Sequence, residues 1–479
     1  MYDYIIIGGG PTGLTLSYLL SKYNKKVLLI EKEPYIGGCH AVKRINGLFT
    51  EHGPRIYLNN YLMFMELLKD MGVDFYDIFT KYNFTTSTIM NEVLKILSFR
   101  ELCILGWGFI NLNNSYKKIS LLDYLKKHNF SEKSIDILDR IGRLTDGGSA
   151  DKYTFYSFLQ ILNQNFLYNI YQPKKPNDIT LFKIWEYSLL KNGVDIMKNT
   201  EIDNIQINND QISNISINNK LIYGKKFILA CPPKAIYNIL KKHNLGNAFG
   251  NNFNNFQKET EYLPYISVIF HWKNKINIPK IWGYPRTSWG IANIVLSDYM
   301  DFNDQRSKTV ISSIITMNDR KSEYLNKTPD EINDKNVIIS EVFRQLKQIY
   351  KDLPNPDYYL LTQNYYDYDE EKWIPLNNAF ITTKYGFINY DSDVYKNLYN
   401  CGVHNGKSSY SFTSLESSLV NAIKLVHDLE PSTQNSFKIK VSKGFEEKIA
   451  SINEVSDLRV KFIAFFANPN PINQNIQDV

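Results

Sequence analysis

The sequence predicts a chain that is α/β in its leading part and α+β overall. A parallel βαβ domain is interleaved with a second domain of mixed helix and sheet. Three observations predict it. The chain opens on a strand, a glycine turn, a helix and a second strand. A run of short β-branched strands returns near residue 200. A last strand and a helix follow near residue 400.

The opening unit runs through Tyr4-Ile5-Ile6-Ile7, the turn Gly8-Gly9-Gly10-Pro11-Thr12-Gly13, a helix, and the strand Lys26-Val27-Leu28-Leu29-Ile30, which ends at Glu31. This is the Rossmann-type dinucleotide fingerprint in the context it needs. Gly8 permits the tight turn off the strand. Gly10 lets the backbone approach a pyrophosphate, and Gly13 lets the helix pack close to the strand. The diphosphate then lies on the helix N-terminus, where N–H groups and the helix dipole favour an anion. Glu31, at the strand end, is placed to accept the ribose hydroxyls, which argues against a 2′-phosphate and so against NADP.

The 479 residues are enough for two or three domains' worth of core. With 43% hydrophobic and 22% charged residues the chain is globular, and a net charge of +6 without long basic runs gives no support to nucleic-acid binding. Four cysteines (Cys39, Cys103, Cys231, Cys401) show no CxxC spacing, so neither a disulfide framework, a zinc site nor a redox-active pair is expected. No metal site is expected. The N-terminus runs straight into a strand, no apolar run reaches membrane-spanning length, and a reducing, cytoplasmic location is expected. The aromatic share of 14% reads either as composition bias or as an aromatic-lined cavity.

Residues 61–75 read as a helix ending near Gly72, and 76–185 as mostly helical. Ile119-Ser120-Leu121-Leu122-Asp123-Tyr124-Leu125 is a helix start with Ser120 as cap. Met90 to Asn111 is apolar and aromatic, and reads as a buried core helix, a tunnel lining or a membrane-contacting segment. This last reading leaves peripheral membrane contact open. Thr145-Asp146-Gly147-Gly148 is a turn. Strands follow at 194–196, 201–207, 211–217, 221–223 and 226–230, with a hairpin turn at Asn208-Asn209-Asp210 and a stop at Cys231-Pro232-Pro233. Ile266 to Trp272 is a buried-type strand; Trp282, Tyr284, Arg286 and Trp289 follow it as a cavity wall or an aromatic-packed sheet. Val337 to Tyr350 is a long amphipathic helix. Asn397 to Gly402 is a strand, and a helix opens over Ser411 to Ser418 and runs to about Leu429. The tail after Pro431 is Asn-rich beyond Ala467 and is expected to fray.

Several of these stretches together resemble the FAD-dependent amine oxidoreductase superfamily. They are the glycine turn with Glu31, the pair Gly37-Gly38, Glu51-His52-Gly53-Pro54-Arg55, the strand leading into Pro232-Pro233, and Asn397 to Gly402. The superfamily includes amine oxidases, protoporphyrinogen oxidases and phytoene desaturases, with UDP-galactopyranose mutases as relatives. The resemblance implies FAD as cofactor, bound by Gly8, Gly10, Gly13, Glu31, Gly37, Gly38, Gly53, Arg55, Ile202, Gly402 and Leu415. Ile202 would present its backbone to the adenine, and the Leu415 N–H would reach the isoalloxazine O2. The resemblance also implies a discontinuous FAD domain (1–75, 186–254 and 381–430), a substrate domain (76–185 and 255–380) and a C-terminal extension (431–479). The chain departs from the family at Val403-His404, where an acid is usual, and at Cys39-His40, where oxidases and desaturases usually carry Arg.

A second GxGxxG for NAD(P)H is absent, so the electrons are expected to come from a small-molecule substrate. The expected reaction moves a hydride from a C–N or C–C bond to flavin N5, with O2 or another acceptor reoxidising the flavin. His52, His271 and His404 are candidate bases, against a structural role for each. A mutase without net redox stays open, because Tyr2 to Asn60 and Tyr410-Ser411-Phe412 resemble UDP-galactopyranose mutase. A non-catalytic flavin-binding protein stays open as well.

Overall fold

A computed structural model describes residues 1–440 apart from 112, 167–168, 263–264, 284–285, 303–305, 377–380, 383–386 and 409–413. Tyr284, the stretch Tyr410 to Thr413 and the tail from residue 441 lie outside the described residues, as does the side chain of Trp282.

The opening unit is β1 (Tyr2–Ile7), α1 (Pro11–Lys22) and β2 (Val27–Ile30). The helix α2 (Leu62–Asp70) ends at Gly72, whose φ of +83° is the left-handed stop that glycine adopts without strain. Then come α3 (Thr88–Ile96), α4 (Phe99–Ile110), α5 (Leu121–Lys127), α6 (Glu132–Asp146), α7 (Phe155–Phe166) and α8 (Leu181–Lys191). Two of their N-termini are set by serine caps: Ser120, read as a cap from the sequence, accepts the Asp123 N–H, and Ser131 accepts that of Ser134. Strands β3 (Asp195–Met197), β4 (Asn204–Asn208), β5 (Gln211–Ile217) and β6 (Lys220–Leu229) lead to α9 (Pro233–Lys242). Next are β7 (Ile266–Trp272), β8 (Ile291–Val295), β9 (Thr309–Ile315), α10 (Lys335–Ile349), β10 (Tyr358–Leu360), β11 (Leu398–Asn400) and α11 (Leu415–Leu429).

The main sheet has the order β4-β5-β6-β1-β2-β3, with β11 also on β6. Strands β3, β2, β1, β6 and β11 are mutually parallel, so their carboxyl ends share one edge. All four residues of β2 are buried, as expected for a parallel strand covered on both faces. Helices α1 and α11 pack on each other, and both are buried along most of their length. A second, antiparallel sheet has the order β8-β9-β7-β10; the residues of β7, β8 and β9 are all buried.

Three expectations are corrected. The strands expected at 221–223 and 226–230 are one strand, β6, which pairs antiparallel with β5 in its first half and parallel with β1 and β11 in its second. Gly224 keeps the strand continuous where a side chain has no room, since a Cβ there would stand 2.7 Å from Ile5 Cδ1. The stretch Met90 to Asn111 is two helices broken at Ser98, which caps α4 in a reciprocal box with Glu101. It is not one buried helix: Phe99 and Trp107 are exposed. The region 76–185 also contains strand segments, Phe79–Lys81 and Ile170–Pro173, which join Tyr57–Leu58 in a small sheet.

Candidate functional site

The parallel strands end on the residues that the sequence singles out. Gly8 follows β1, Glu31 follows β2, Ala230 follows β6 and Gly402 stands two residues past β11; all four line one elongated cavity of about 610 Å³. This is the edge where open α/β sheets take their ligands. The N-termini of α1 and α11 reach the same cavity at Gly10 and Ser414.

The glycine turn is shaped for a close backbone approach. Gly8 has a φ of +115°, and a Cβ on it would lie 2.5 Å from the Ala230 carbonyl oxygen. A Cβ on Gly13 would lie 1.9 Å from the Gly8 carbonyl oxygen, so only glycine lets α1 sit against the turn. Gly10 differs: a Cβ there meets nothing nearer than Gly38 Cα at 3.7 Å, in the cavity wall. The two glycine segments are joined by the Gly37 N–H donating to the Gly9 carbonyl at 2.8 Å. Gly37 itself packs on Phe182, whose ring would be struck by any Cβ. Glu31 is buried, and its carboxylate accepts the N–H groups of Gly9 (2.6 Å) and Glu33 (2.9 Å). Burial raises its pKa above the usual carboxylate range while the two N–H donors pull it down.

Beyond Glu31 the cavity passes Lys32, Thr200, Glu201 and Ile202. The Ile202 carbonyl accepts the Lys242 ammonium at 3.2 Å. Lys242 carries no local sequence signal; α9 delivers it from forty residues on. In the other direction the cavity passes Gly38, Cys39, His40, His52, Gly53, Arg55, Gly402, His404 and Leu415. Arg55 donates to the Cys39 carbonyl, and Gln172 donates to the Arg55 carbonyl. A Cβ on Gly53 would meet Ile314 at 2.8 Å, and one on Gly402 would meet the His404 ring at 2.6 Å. Nine of the eleven predicted cofactor residues line the cavity, namely Gly8, Gly10, Glu31, Gly38, Gly53, Arg55, Ile202, Gly402 and Leu415, while Gly13 and Gly37 act one layer behind them.

The candidate bases part company here. His271 is held by Ser307 (2.9 Å) and the Phe49 carbonyl (3.0 Å) and does not line the cavity, so its role is structural. His52 and His404 line the cavity, and burial pushes both imidazoles down to about 3, which keeps them neutral. His404 Nε2 lies 3.0 Å from Asn400 Oδ1. His40 stands beside Arg55, and burial and that charge lower its pKa as well. Its Nδ1 is 3.4 Å from the Tyr57 hydroxyl, which accepts from Asn177 at 2.9 Å. Behind the site, burial raises Glu51 to about 7.

The far end of the cavity is apolar. Ile89 from α3, Ile141 and Leu144 from α6, and Ala292, Ile294 and Ile314 from the second sheet form its wall together with Tyr82 and Tyr265, and Asn293 adds a polar group. None of these was singled out from the sequence, because none belongs to a motif and most sit in ordinary helix or strand patterns. Among the described residues no cluster of His, Cys, Asp and Glu is arranged to hold a metal ion.

These residues fit a flavin adenine dinucleotide: an acid and a cation-held carbonyl at one end, a side-chain-free cradle for the diphosphate, and a wider pocket between two helix N-termini and the second sheet. Comparison with known proteins agrees in fold. Residues 6–71 match the NAD(P)-binding Rossmann-like domain family. UDP-galactopyranose mutases of Mycoplasma genitalium and Mycoplasma pneumoniae are 37% identical over 62 residues and 34% identical over 71 residues. Those matches cover 12% and 14% of this chain and only 15% and 18% of the mutases. An oxidoreductase from Methanosarcina mazei superposes with a TM-score of 0.64 at 14% identity, over 88% of this chain and 99% of that one. A candidate protoporphyrinogen oxidase from Exiguobacterium gives 0.61 at 14% identity, over 90% and 98%. Putrescine oxidase bound to putrescine gives 0.59 at 12% identity, over 89% and 98%. The chain therefore shares the fold of these solved oxidoreductases, begun by a Rossmann-like dinucleotide-binding domain.

Proposed function

We propose that this protein is an FAD-dependent oxidoreductase that takes a hydride from a C–N or C–C bond of a small, largely apolar substrate. The observation that carries the reading is the continuity of one cavity, from Glu31 past the glycine cradle to an apolar compartment. Among the described residues walling that compartment none is Asp, Glu, Lys or Arg. A sugar diphosphate needs cations close by, and a diamine needs anions. An apolar or neutral substrate needs neither. Bound FAD would supply the hydride-accepting centre, and O2 or another acceptor would take the electrons on. The chain's own residues bind the cofactor, exclude water from the compartment and hold protons. The Gly10 cradle and the α1 N-terminus carry the diphosphate. The α11 N-terminus at Leu415 favours negative charge beside it. His40, neutral and backed by the Tyr57 hydroxyl, is the proton-handling group at the junction of the two parts. On this reading 1–75, 186–254 and 381–430 form the FAD domain, and 76–185 with 255–380 the substrate domain.

A second reading is favoured by the mutase relatives, whose likeness extends over 62 and 71 residues. So short a match carries the likeness for only a small part of either protein. The test is the visible spectrum of the purified protein, then anaerobic titration with amines, porphyrinogens and UDP-sugars. Bleaching by an amine or porphyrinogen supports the oxidoreductase. UDP-sugar binding only after chemical reduction of the flavin favours the mutase. A flavin that no substrate reduces and no UDP-sugar approaches marks a binding protein, and failure to reconstitute with FAD overturns the central reading.

A further inference from the structure

Helix α4 carries part of its apolar surface on the side away from the core. Leu105 and Gly108 face inward, with Gly108 so close to Phe155 that a Cβ would lie 2.8 Å from its ring. Phe99, Cys103 and Trp107 recur every fourth residue and so share the opposite face. Phe99 is 82% exposed and Trp107 64%, and Cys103 is exposed too. A surface helix of a globular protein presents polar residues there.

The charge around this face has one dominant sign. Exposed Lys95 precedes the helix. The Arg100 guanidinium donates to the His128 carbonyl at 2.8 Å, which brings the end of α5, with exposed Lys126 and Lys127, beside the start of α4. Lys117 and Lys118 lie in the short turn just past its C-terminal end. The one acid of α4, Glu101, is 3% exposed and is occupied by Ser98, Ser131 and Ser134. Aromatic side chains on an outward helix face with cations at both ends match the chemistry of an anionic lipid surface, where rings sit at the headgroup level and lysines meet the phosphates. At twelve residues α4 is too short to span a bilayer, and no helix among the described residues is long and apolar enough to do so.

We propose that α4 docks this protein flat on membranes rich in anionic lipid, with Phe99 and Trp107 inserted at the interface and the flanking lysines on the headgroups. This proposal stands independently of the flavin chemistry. The test is co-sedimentation of the full chain with vesicles of phosphatidylcholine, with and without phosphatidylserine. Binding about tenfold tighter to the anionic vesicles, and weakened by added salt, is expected. Phe99→Ser combined with Trp107→Ser should lower that binding about tenfold while thermal stability and flavin absorbance stay unchanged. No binding to anionic vesicles overturns the proposal, as does equal binding by the double variant. A light-scattering mass of twice the chain that falls to one chain in the variant would assign the face to a second copy, and also overturns it. Flavin absorbance in the same samples reports separately on the cofactor.

Discussion

The Glu416 carboxylate accepts the backbone N–H of Met63 at 2.7 Å and that of Phe64 at 2.9 Å. An acid in the first turn of α11 thereby caps α2, more than 350 residues away, and ties two distant segments of the chain together. The carboxylate is 1% exposed, and burial pushes its pKa up to about 8 against the two N–H donors. A carboxyl whose folded pKa is raised gives its full stability below the unfolded pKa and loses it as pH climbs through the folded one. Glu416→Gln mimics the protonated acid. The variant should be closest to or below wild type in stability at pH 5 and gain on it by about 1 kcal/mol per pH unit toward pH 8. Urea unfolding at several pH values checks this; parallel curves would sink it.

Gly10 and Gly13 should separate binding from folding. Gly10→Ala adds a methyl into open cavity, so the melting temperature should hold while FAD content falls about tenfold, a loss of about 1.4 kcal/mol. Gly13→Ala drives a methyl into the Gly8 carbonyl and should cost about 1–3 kcal/mol of stability. Calorimetry with flavin absorbance distinguishes the two; equal stability losses would refute the assignment.

His40→Ala should leave flavin content unchanged and slow flavin reduction about 10²-fold, the scale of a lost proton-handling group. Stopped-flow reduction by whichever substrate bleaches the flavin is the measurement. An unaltered rate would leave His40 with packing alone.

Ala292 lies in the far wall, 4% exposed. Ala292→Phe should fill the apolar compartment, retain the flavin spectrum and raise the substrate KM about tenfold or more. If KM is unchanged, the substrate lies elsewhere.

The residues legible in the sequence were those whose role is fixed by near neighbours. Gly8, Gly10, Gly13 and Glu31 belong to one strand–turn–helix unit, where spacing alone sets the geometry. Ser120 and Gly72 announced helix ends for the same reason. The break at Ser98 also had a local signal, its box with Glu101, which the apolar run around it masked.

The βαβ unit, its glycine cradle and its acid are therefore written in the order of the amino acids alone, because backbone sterics and helix polarity act over a few residues. Packing between distant segments set the rest. It fused the strands around Gly224, withdrew His271 to Ser307 and Phe49, brought Lys242 to Ile202, and built an apolar wall from Ile89, Ile141 and Ile294. Those relationships join segments tens to hundreds of residues apart. They depend on packing, which no local pattern of residues encodes.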